Sequence, residues 1–108
     1  MQPIVKTRLA ELRRLCRRFH VRRLDLFGSA ARGDFDPKRS DVDFVVEFEK
    51  DAPGKALDAY FGFKEALEAL LGRPVDLVMA GAIENPYLRS SIDQSRETVY
   101  APRAEGSV

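Results

Sequence analysis

Two strand-like runs, joined by a glycine-containing turn and a polar loop, constrain the fold of this chain more than any other feature. The first run, Leu24 to Phe27, ends a strand that is predicted from Val21 to Phe27, and the second run is Val42 to Phe48. Their apolar and polar residues alternate as they do in strands. After the first run, Ser29 is a suitable N-cap for a short helix that Gly33 closes. Residues 34–40 carry Pro37 and four charged side chains, which predict an exposed loop. Strands connected in this way can lie side by side.

A pair of acids stands at the start of the second run. Asp41 and Asp43 are two residues apart, so on a strand both side chains leave the same face, with Cα atoms roughly 6.5 Å apart. Two carboxylates at that separation repel, and a divalent cation between them removes the conflict. Magnesium suits such a site because it binds one or two carboxylates together with phosphate oxygens and water. The pattern therefore predicts a magnesium site for nucleotide chemistry.

A third acid lies in another short strand-like run. Asp76 is on the polar side of the alternation in Pro74 to Met79. If this strand lies beside the second run, Asp76 can supply a third metal ligand, and three carboxylates can hold two magnesium ions about 4 Å apart. Asp76 is then also the candidate general base.

The turn after the first run supplies the complementary positive charge. Gly28 lets a phosphate approach the backbone, and the start of the short helix presents amide groups to it. Ser29 can add its hydroxyl, and Arg32, Lys38 and Arg39 are near enough in sequence to reach phosphate oxygens. These parts suit phosphoryl or nucleotidyl transfer, in which positioning and charge neutralisation supply most of the catalysis.

Each of these parts also has a simpler explanation when it is taken alone. A Gly-Ser pair is most often a plain turn, and an Asp-x-Asp pair is commonly a solvated strand edge. Asp76 can be a buried acid that pairs with an arginine. The combination of all three in one chain favours the functional interpretation.

The first helix is predicted to be amphipathic and basic. Its apolar residues recur at spacings of four and three along one stripe: Val5, Leu9, Leu12, Cys16 and Phe19. Arginines occupy the other faces, among them Arg13, Arg14, Arg17 and Arg18. A solvated surface explains them, and the alternative is a docking face for an acidic protein or for RNA. No aromatic residues are interleaved with these arginines as a stacking platform needs, so a protein partner is favoured over RNA.

Two more helices and a last strand are expected in the second half of the chain. One helix runs from about Lys55 to Leu71, with Gly72 as its C-cap and with Tyr60 and Phe61 in the core. Asn85-Pro86 predicts the start of the next helix, which carries an apolar pair, Leu88 and Ile92. The last strand is expected at Thr98 to Tyr100, and residues 101–108 are expected to fray.

Composition bounds the class of protein. At 108 residues we expect a single domain, residues 1–108, and 44% hydrophobic with 32% charged residues is typical of a soluble globular protein. The formal net charge of +1 predicts no partner. Cys16 is the only cysteine and His20 the only histidine, which excludes an internal disulfide and makes a Ser-His-Asp triad improbable. No run approaches the roughly 20 apolar residues of a membrane span, so we expect a cytoplasmic protein without a membrane partner.

Three motifs together resemble those of a known family. They are GSAARG at residues 28–33, SDVDFV at residues 40–45 and VDLV at residues 75–78. They are similar to the motifs of the minimal nucleotidyltransferases of the DNA polymerase beta-like superfamily, specifically the MNT antitoxins encoded beside HEPN toxins. The likeness runs over nearly the whole chain.

The resemblance implies a fold, a site and a reaction. The fold is α+β, a small mixed β-sheet with helices packed mainly on one face. Gly28 and Ser29 hold the triphosphate of ATP, with Arg32 and Ser40 also assigned to nucleotide binding, while the acids hold magnesium: Asp41, Asp43 and Asp76. Members of the family transfer AMP from ATP to a tyrosine of the cognate HEPN ribonuclease and silence it, so a hetero-oligomer with a HEPN toxin is expected.

Two other functions remain open from the sequence. The chain can be a non-catalytic antitoxin that neutralises its partner by binding alone, although the complete set of acids argues against this. A nucleic-acid-binding regulator that uses the basic helix ranks lowest, because the net charge is near zero and no recognition motif is visible. Larger nucleotidyltransferases carry an added domain that positions the acceptor, and we expect a separate protein to supply the acceptor here.

Overall fold

The computed structural model describes residues 3–28, 31, 41–52 and 54–101. Its elements in chain order are α1 (Pro3–Lys6), α2 (Leu9–Arg18), β1 (Val21–Phe27), β2 (Val42–Phe48), α3 (Ala56–Leu71), β3 (Val75–Met79), a 3-10 turn (Ala80–Ala82), α4 (Pro86–Ser95) and β4 (Glu97–Tyr100). The bounds of β1 and β2 coincide with the predicted strands, Val21 to Phe27 and Val42 to Phe48. The expected tail lies almost wholly outside the described residues.

The described strands form one mixed sheet in the order β3-β2-β1-β4. β1 is antiparallel to both of its neighbours, β2 and β4. β2 and β3 run parallel, as expected for strands that a helix connects. The predicted α+β architecture with a mixed sheet is confirmed.

The main core lies between one face of the sheet and the helices α1, α2 and α3. Its buried residues come from both layers: Val21, Leu24, Leu26, Val42, Phe44, Val46, Val75, Leu77 and Val99 from the strands, and Val5, Leu12, Cys16, Phe63, Leu67 and Leu71 from the helices. On the opposite face a smaller cluster joins Phe27 and Val45 to Ile92 of α4. The helices are therefore distributed mainly, but not entirely, on one face.

The predicted first helix is interrupted at Thr7 and Arg8. The Thr7 hydroxyl donates to the carbonyl of Pro3 at 2.8 Å, and the Arg8 N–H donates to the carbonyl of Val5 at 3.0 Å. The Arg8 N–H thus bonds three residues back instead of four, so the regular α-helical pattern is broken before α2 begins at Leu9. The expectation of one continuous helix was wrong at this point. The apolar stripe survives the break, because Val5 and Leu12 are both buried.

α3 has the predicted ends but not the predicted buried face. Gly72 ends the helix in the left-handed conformation, with φ +68°, as its C-cap position predicts. Phe61 was expected in the core and is 55% exposed, whereas Phe63 is fully buried. Phe63 begins a row at i, i+4 and i+8 that faces the sheet, and the register of that row depends on how α3 packs. Tyr60 is half-buried, and its hydroxyl donates to the carbonyl of Leu77 at 2.6 Å.

α4 begins as its sequence predicts. Asn85 Oδ1 accepts the Tyr87 N–H at 2.8 Å, and Pro86 occupies the first turn, where its missing N–H leaves no bond unmade. Of the apolar pair on this helix, Ile92 is buried and Leu88 is 40% exposed. None of the described helices combines the length and the apolar character that crossing a bilayer requires.

The contrast between two phenylalanines of α3 gives a test of the core. We expect Phe63→Ala to lower the free energy of unfolding by about 3–5 kcal/mol, since the ring is fully buried and packs against the rings of Phe19 and Phe48. Phe61→Ala, the same change at an exposed position, should lower it by about 0.5 kcal/mol. Urea denaturation followed by circular dichroism measures both, and equal losses would contradict the described packing.

Candidate functional site

Strand pairing brings two of the predicted acids side by side. Asp43 on β2 is the register partner of Phe27 on β1 and of Asp76 on β3. Register partners project from the same face of a sheet, with Cα atoms about 4.8 Å apart in a parallel pair. The expected adjacency of the three runs is therefore found, and Asp43 lies in the middle of the row.

Asp41 lies at the start of the same strand face. It immediately precedes β2 and is exposed. The next residue, Val42, donates its N–H to the carbonyl of Pro74 at 3.4 Å, which ties the start of β2 to the start of β3. Since Asp41 and Asp43 are two residues apart, all three acids lie at one end of the β2–β3 pair.

Gly28 closes the site from the β1 side. It is buried, and its φ of +74° lies in the left-handed region that favours glycine. A Cβ at this position would lie 2.3 Å from Asp43 Oδ2, so no other residue fits without displacing that carboxylate. Glycine is favoured here by the positive φ, and its missing Cβ leaves room for the carboxylate of Asp43 against the turn.

The backbone of Gly28 is fully hydrogen-bonded. Its N–H donates to Ser95 Oγ at 3.1 Å, and its carbonyl accepts the N–H of Ala31 at 3.1 Å. The second bond joins Gly28 to Ala31, the described residues at the two ends of the predicted turn. The other residues predicted to bind nucleotide lie outside the described residues: Ser29, Arg32 and Ser40, together with Lys38 and Arg39.

The acids suit magnesium in their chemistry and in their backbone positions. Carboxylate oxygens are the protein ligands that Mg²⁺ prefers, and phosphate oxygens complete its shell. Within the described ranges, no three carboxylate, histidine or cysteine side chains already form a cluster that could hold a metal ion. Asp41 and Asp76 are exposed, so a change of rotamer toward Asp43 meets no packing barrier. The three carboxylates are therefore suitable ligands for magnesium, and their side chains must turn toward one another to bind it.

One acid that the sequence analysis did not single out is buried beside the site. Asp25 on β1 is fully buried, and its Oδ2 accepts bonds from Arg96 Nε at 2.9 Å and Arg23 Nε at 3.0 Å. Burial alone lowers the pKa of Arg96, but the hydrogen bonds and charges of Asp25 and Asp93 outweigh burial and raise it. The guanidinium therefore stays charged.

The buried acid paired with arginine, considered for Asp76, is thus realised at Asp25. Asp76 is exposed, which excludes that explanation for it. The signal for Asp25 was its place between Leu24 and Leu26 in a strand with neighbours on both sides. An acid in such a strand needs a cationic partner when its face is covered. Which arginine supplies the charge depends on α4, far away in sequence.

Known proteins resemble the chain in sequence and in fold. The protein adenylyltransferase MntA of Thermococcus cleftensis is 40% identical over 91 residues, which cover 84% of this chain and 85% of the relative. A solved structure described as a candidate minimal nucleotidyltransferase is 34% identical with a TM-score of 0.73, and the match covers 90% of this chain and 95% of that one.

A third match concerns the fold alone. It is a structure of a tri-AMPylated Shewanella oneidensis HEPN toxin in complex with an MNT antitoxin, with 17% identity and a TM-score of 0.63. The match covers 93% of this chain and 75% of that chain. The family model of the nucleotidyltransferase domain matches residues 9–99, from α2 to β4. Since that range holds every strand of the sheet and all three acids, the chain belongs to the nucleotidyltransferase domain family.

Proposed function

We propose that the chain is a magnesium-dependent protein adenylyltransferase that acts as an antitoxin. It transfers AMP from ATP to a tyrosine of a partner HEPN ribonuclease toxin and so inactivates it. The observation that carries the proposal is the row in which Asp43 lies between Asp76 and the Gly28 turn. The name of the Thermococcus relative supports the reaction, and the toxin complex with a similar fold supports the partner.

In this proposal all three acids are metal ligands, and Asp76 is also the general base. Asp41, Asp43 and Asp76 hold magnesium, and Gly28 and Ser29 receive the triphosphate with help from Arg32 and Ser40. Bound there, magnesium offsets the charge of the triphosphate and orients it for attack.

The transfer is a displacement at the α-phosphorus of ATP. The tyrosine oxygen forms a bond to the α-phosphorus, and the bond from that phosphorus to the oxygen bridging to the β-phosphate breaks. Pyrophosphate leaves, and the proton of the tyrosine hydroxyl passes to the carboxylate of Asp76. Asp76 is exposed and lies on β3, the edge strand of the described sheet, so a side chain from a second protein can reach it.

The first test removes one charge at the centre of the row. We expect Asp43→Asn to lower AMP transfer about 100-fold or more, because an amide cannot replace a carboxylate as a metal ligand beside two other acids. Transfer of label from α-labelled ATP to the purified partner measures the rate. Asp58→Asn, at an exposed position in the first turn of α3, is the matched control and should keep full activity.

The same approach separates catalysis from binding. In cells that express the toxin, the Asp41→Asn, Asp43→Asn double variant should fail to restore growth, and mass spectrometry should find no added AMP on the toxin. Restored growth without added AMP would instead favour the alternative, an antitoxin that neutralises its partner by binding alone.

The second test concerns the close approach of Gly28 to Asp43. Gly28→Ala should abolish transfer, since its Cβ would strike Asp43 Oδ2 and displace the carboxylate. Gly72→Ala is the matched control: its φ of +68° is similar, but no atom lies within 4 Å of the added Cβ. Both variants should lose about 1–2 kcal/mol of stability from the left-handed backbone. Equal activity in the two variants would remove the role assigned to the contact.

A third test addresses the contact with the partner. Arg14, Arg17 and Arg18 on α2 are exposed, whereas Arg13 is tied to the carbonyl of Val99 at 3.2 Å. We expect reversal of the three exposed charges to glutamate to weaken toxin binding at least about tenfold at low salt, because charge complementarity sets such association. Glutamate at two exposed bases elsewhere, Lys50 and Lys55, is the control, and unchanged binding in the arginine variant would exclude α2 as the contact.

A further inference from the structure

The last residue of α4 contacts the turn of the candidate site. Ser95 Oγ accepts the N–H of Gly28 at 3.1 Å and donates its own proton to the carbonyl of Ser91 at 3.2 Å. A hydroxyl has one proton to donate, so the bond to Ser91 leaves its lone pairs for Gly28. The helix backbone therefore fixes Ser95 as an acceptor.

The next residue, Arg96, bonds to β1, the strand that leads into Gly28. Arg96 donates from Nε to Asp25 Oδ2 at 2.9 Å, and Asp25 lies three residues before Gly28 on β1. Asp25 is fully buried, so loss of the arginine would leave its charge without a main partner. Ser95 ends α4 and bonds to Gly28, and Arg96 follows it and bonds to Asp25 of β1. We call these two consecutive residues the α4 latch.

Packing supports the latch from the previous helical turn. Ile92 is buried against Phe27 and Val45, and Phe27 directly precedes Gly28. α4 is thus fixed to the end of β1 by an apolar contact, an ion pair and a hydrogen bond. Of these three, only the hydrogen bond of Ser95 reaches the turn itself.

The bond to Ser95 also limits what Gly28 can do. Its N–H is already used, so this amide holds the turn in place and does not itself donate to a phosphate. A Cβ at Gly28 would strike Asp43, so this backbone lies against that carboxylate. A small displacement of the backbone therefore changes the room that the carboxylate has. The position of the Gly28 backbone therefore affects both the turn proposed to receive phosphate and the Asp43 carboxylate proposed to bind metal.

We propose that Ser95 is a positioning residue for nucleotide binding, which acts by holding the amide of Gly28. This inference rests on the proposed function, because it takes the Gly28 turn as the part that receives the triphosphate of ATP. It assigns α4 a part in the site although no residue of α4 needs to touch the nucleotide.

The experiment compares three variants of α4 in the full chain. Ser95→Ala removes the acceptor, Ser95→Thr keeps a hydroxyl, and Ser90→Ala makes the same change at an exposed position of the same helix. Titration calorimetry with ATP and Mg²⁺ gives Kd, thermal unfolding gives Tm, and hydrogen exchange by NMR follows the Gly28 amide.

We expect Ser95→Ala to raise Kd for ATP about three- to tenfold, the range of one lost hydrogen bond, and to speed exchange of the Gly28 amide. Ser95→Thr should keep most of the affinity for ATP and most of the protection of the Gly28 amide. Ser90→Ala should match the unmodified chain in both measurements. A merely structural role would lower Tm and leave Kd unchanged.

Two results would overturn the inference. If Ser95→Ala binds ATP as Ser90→Ala does, Ser95 does not position the turn for nucleotide, whatever happens to the Gly28 amide. If exchange of the Gly28 amide is unchanged, the contact itself is not held in solution. Failure of the proposed function has a different signature, since the unmodified chain would then bind no ATP, and the inference would fall with it.

Discussion

The register of β2 between its two neighbours is the constraint on which the site depends. Phe44 and Val46 are buried on one face of β2, and Asp43 projects from the other. A shift of one residue in pairing would move every side chain to the opposite face, which would bury the acid and expose the aromatic ring. Burial of apolar residues on the core face thus fixes where the carboxylate lies. The stability of the core and the geometry of the acids have the same physical origin.

Much of this arrangement follows from local sequence, because local rules determine it. Alternation gave the bounds of β1 and β2, and Gly72 and Asn85 marked helix ends through their own backbone preferences. Local sequence does not determine that β3 lies beside β2, because this adjacency depends on how α3 crosses the sheet. Once that crossover is made, Asp76 comes opposite Asp43.

The errors have a common cause in contacts between distant segments. α3 offers apolar residues on more than one face, and its packing against Phe19 and Phe48 selects Phe63 over Phe61. The break before α2 is an exception, because it lies in a local turn where the Arg8 N–H bonds to the carbonyl of Val5. Of the two arginines that bond to Asp25, Arg23 lies two residues away on the same strand, but Arg96 is 71 positions away and no local pattern connects it to the acid.

The acids on the site face divide into two kinds. Asp25 is buried and bonded to two arginines, so its charge is already balanced by the protein. Asp41 and Asp76 are exposed, and within the described part of the chain no basic side chain pairs with either of them. Their position beside Asp43 suits the cation and the substrate of the proposed function.

The contact between Gly28 and Asp43 also couples what the two positions tolerate. A Cβ at position 28 would lie 2.3 Å from Oδ2 of Asp43 but 3.5 Å from its Cβ, which is an ordinary contact. Replacing Asp43 with alanine therefore removes the clash, and only the backbone preference at position 28 remains. The two substitutions are thus not independent, because alanine at position 43 makes alanine at position 28 easier to accommodate.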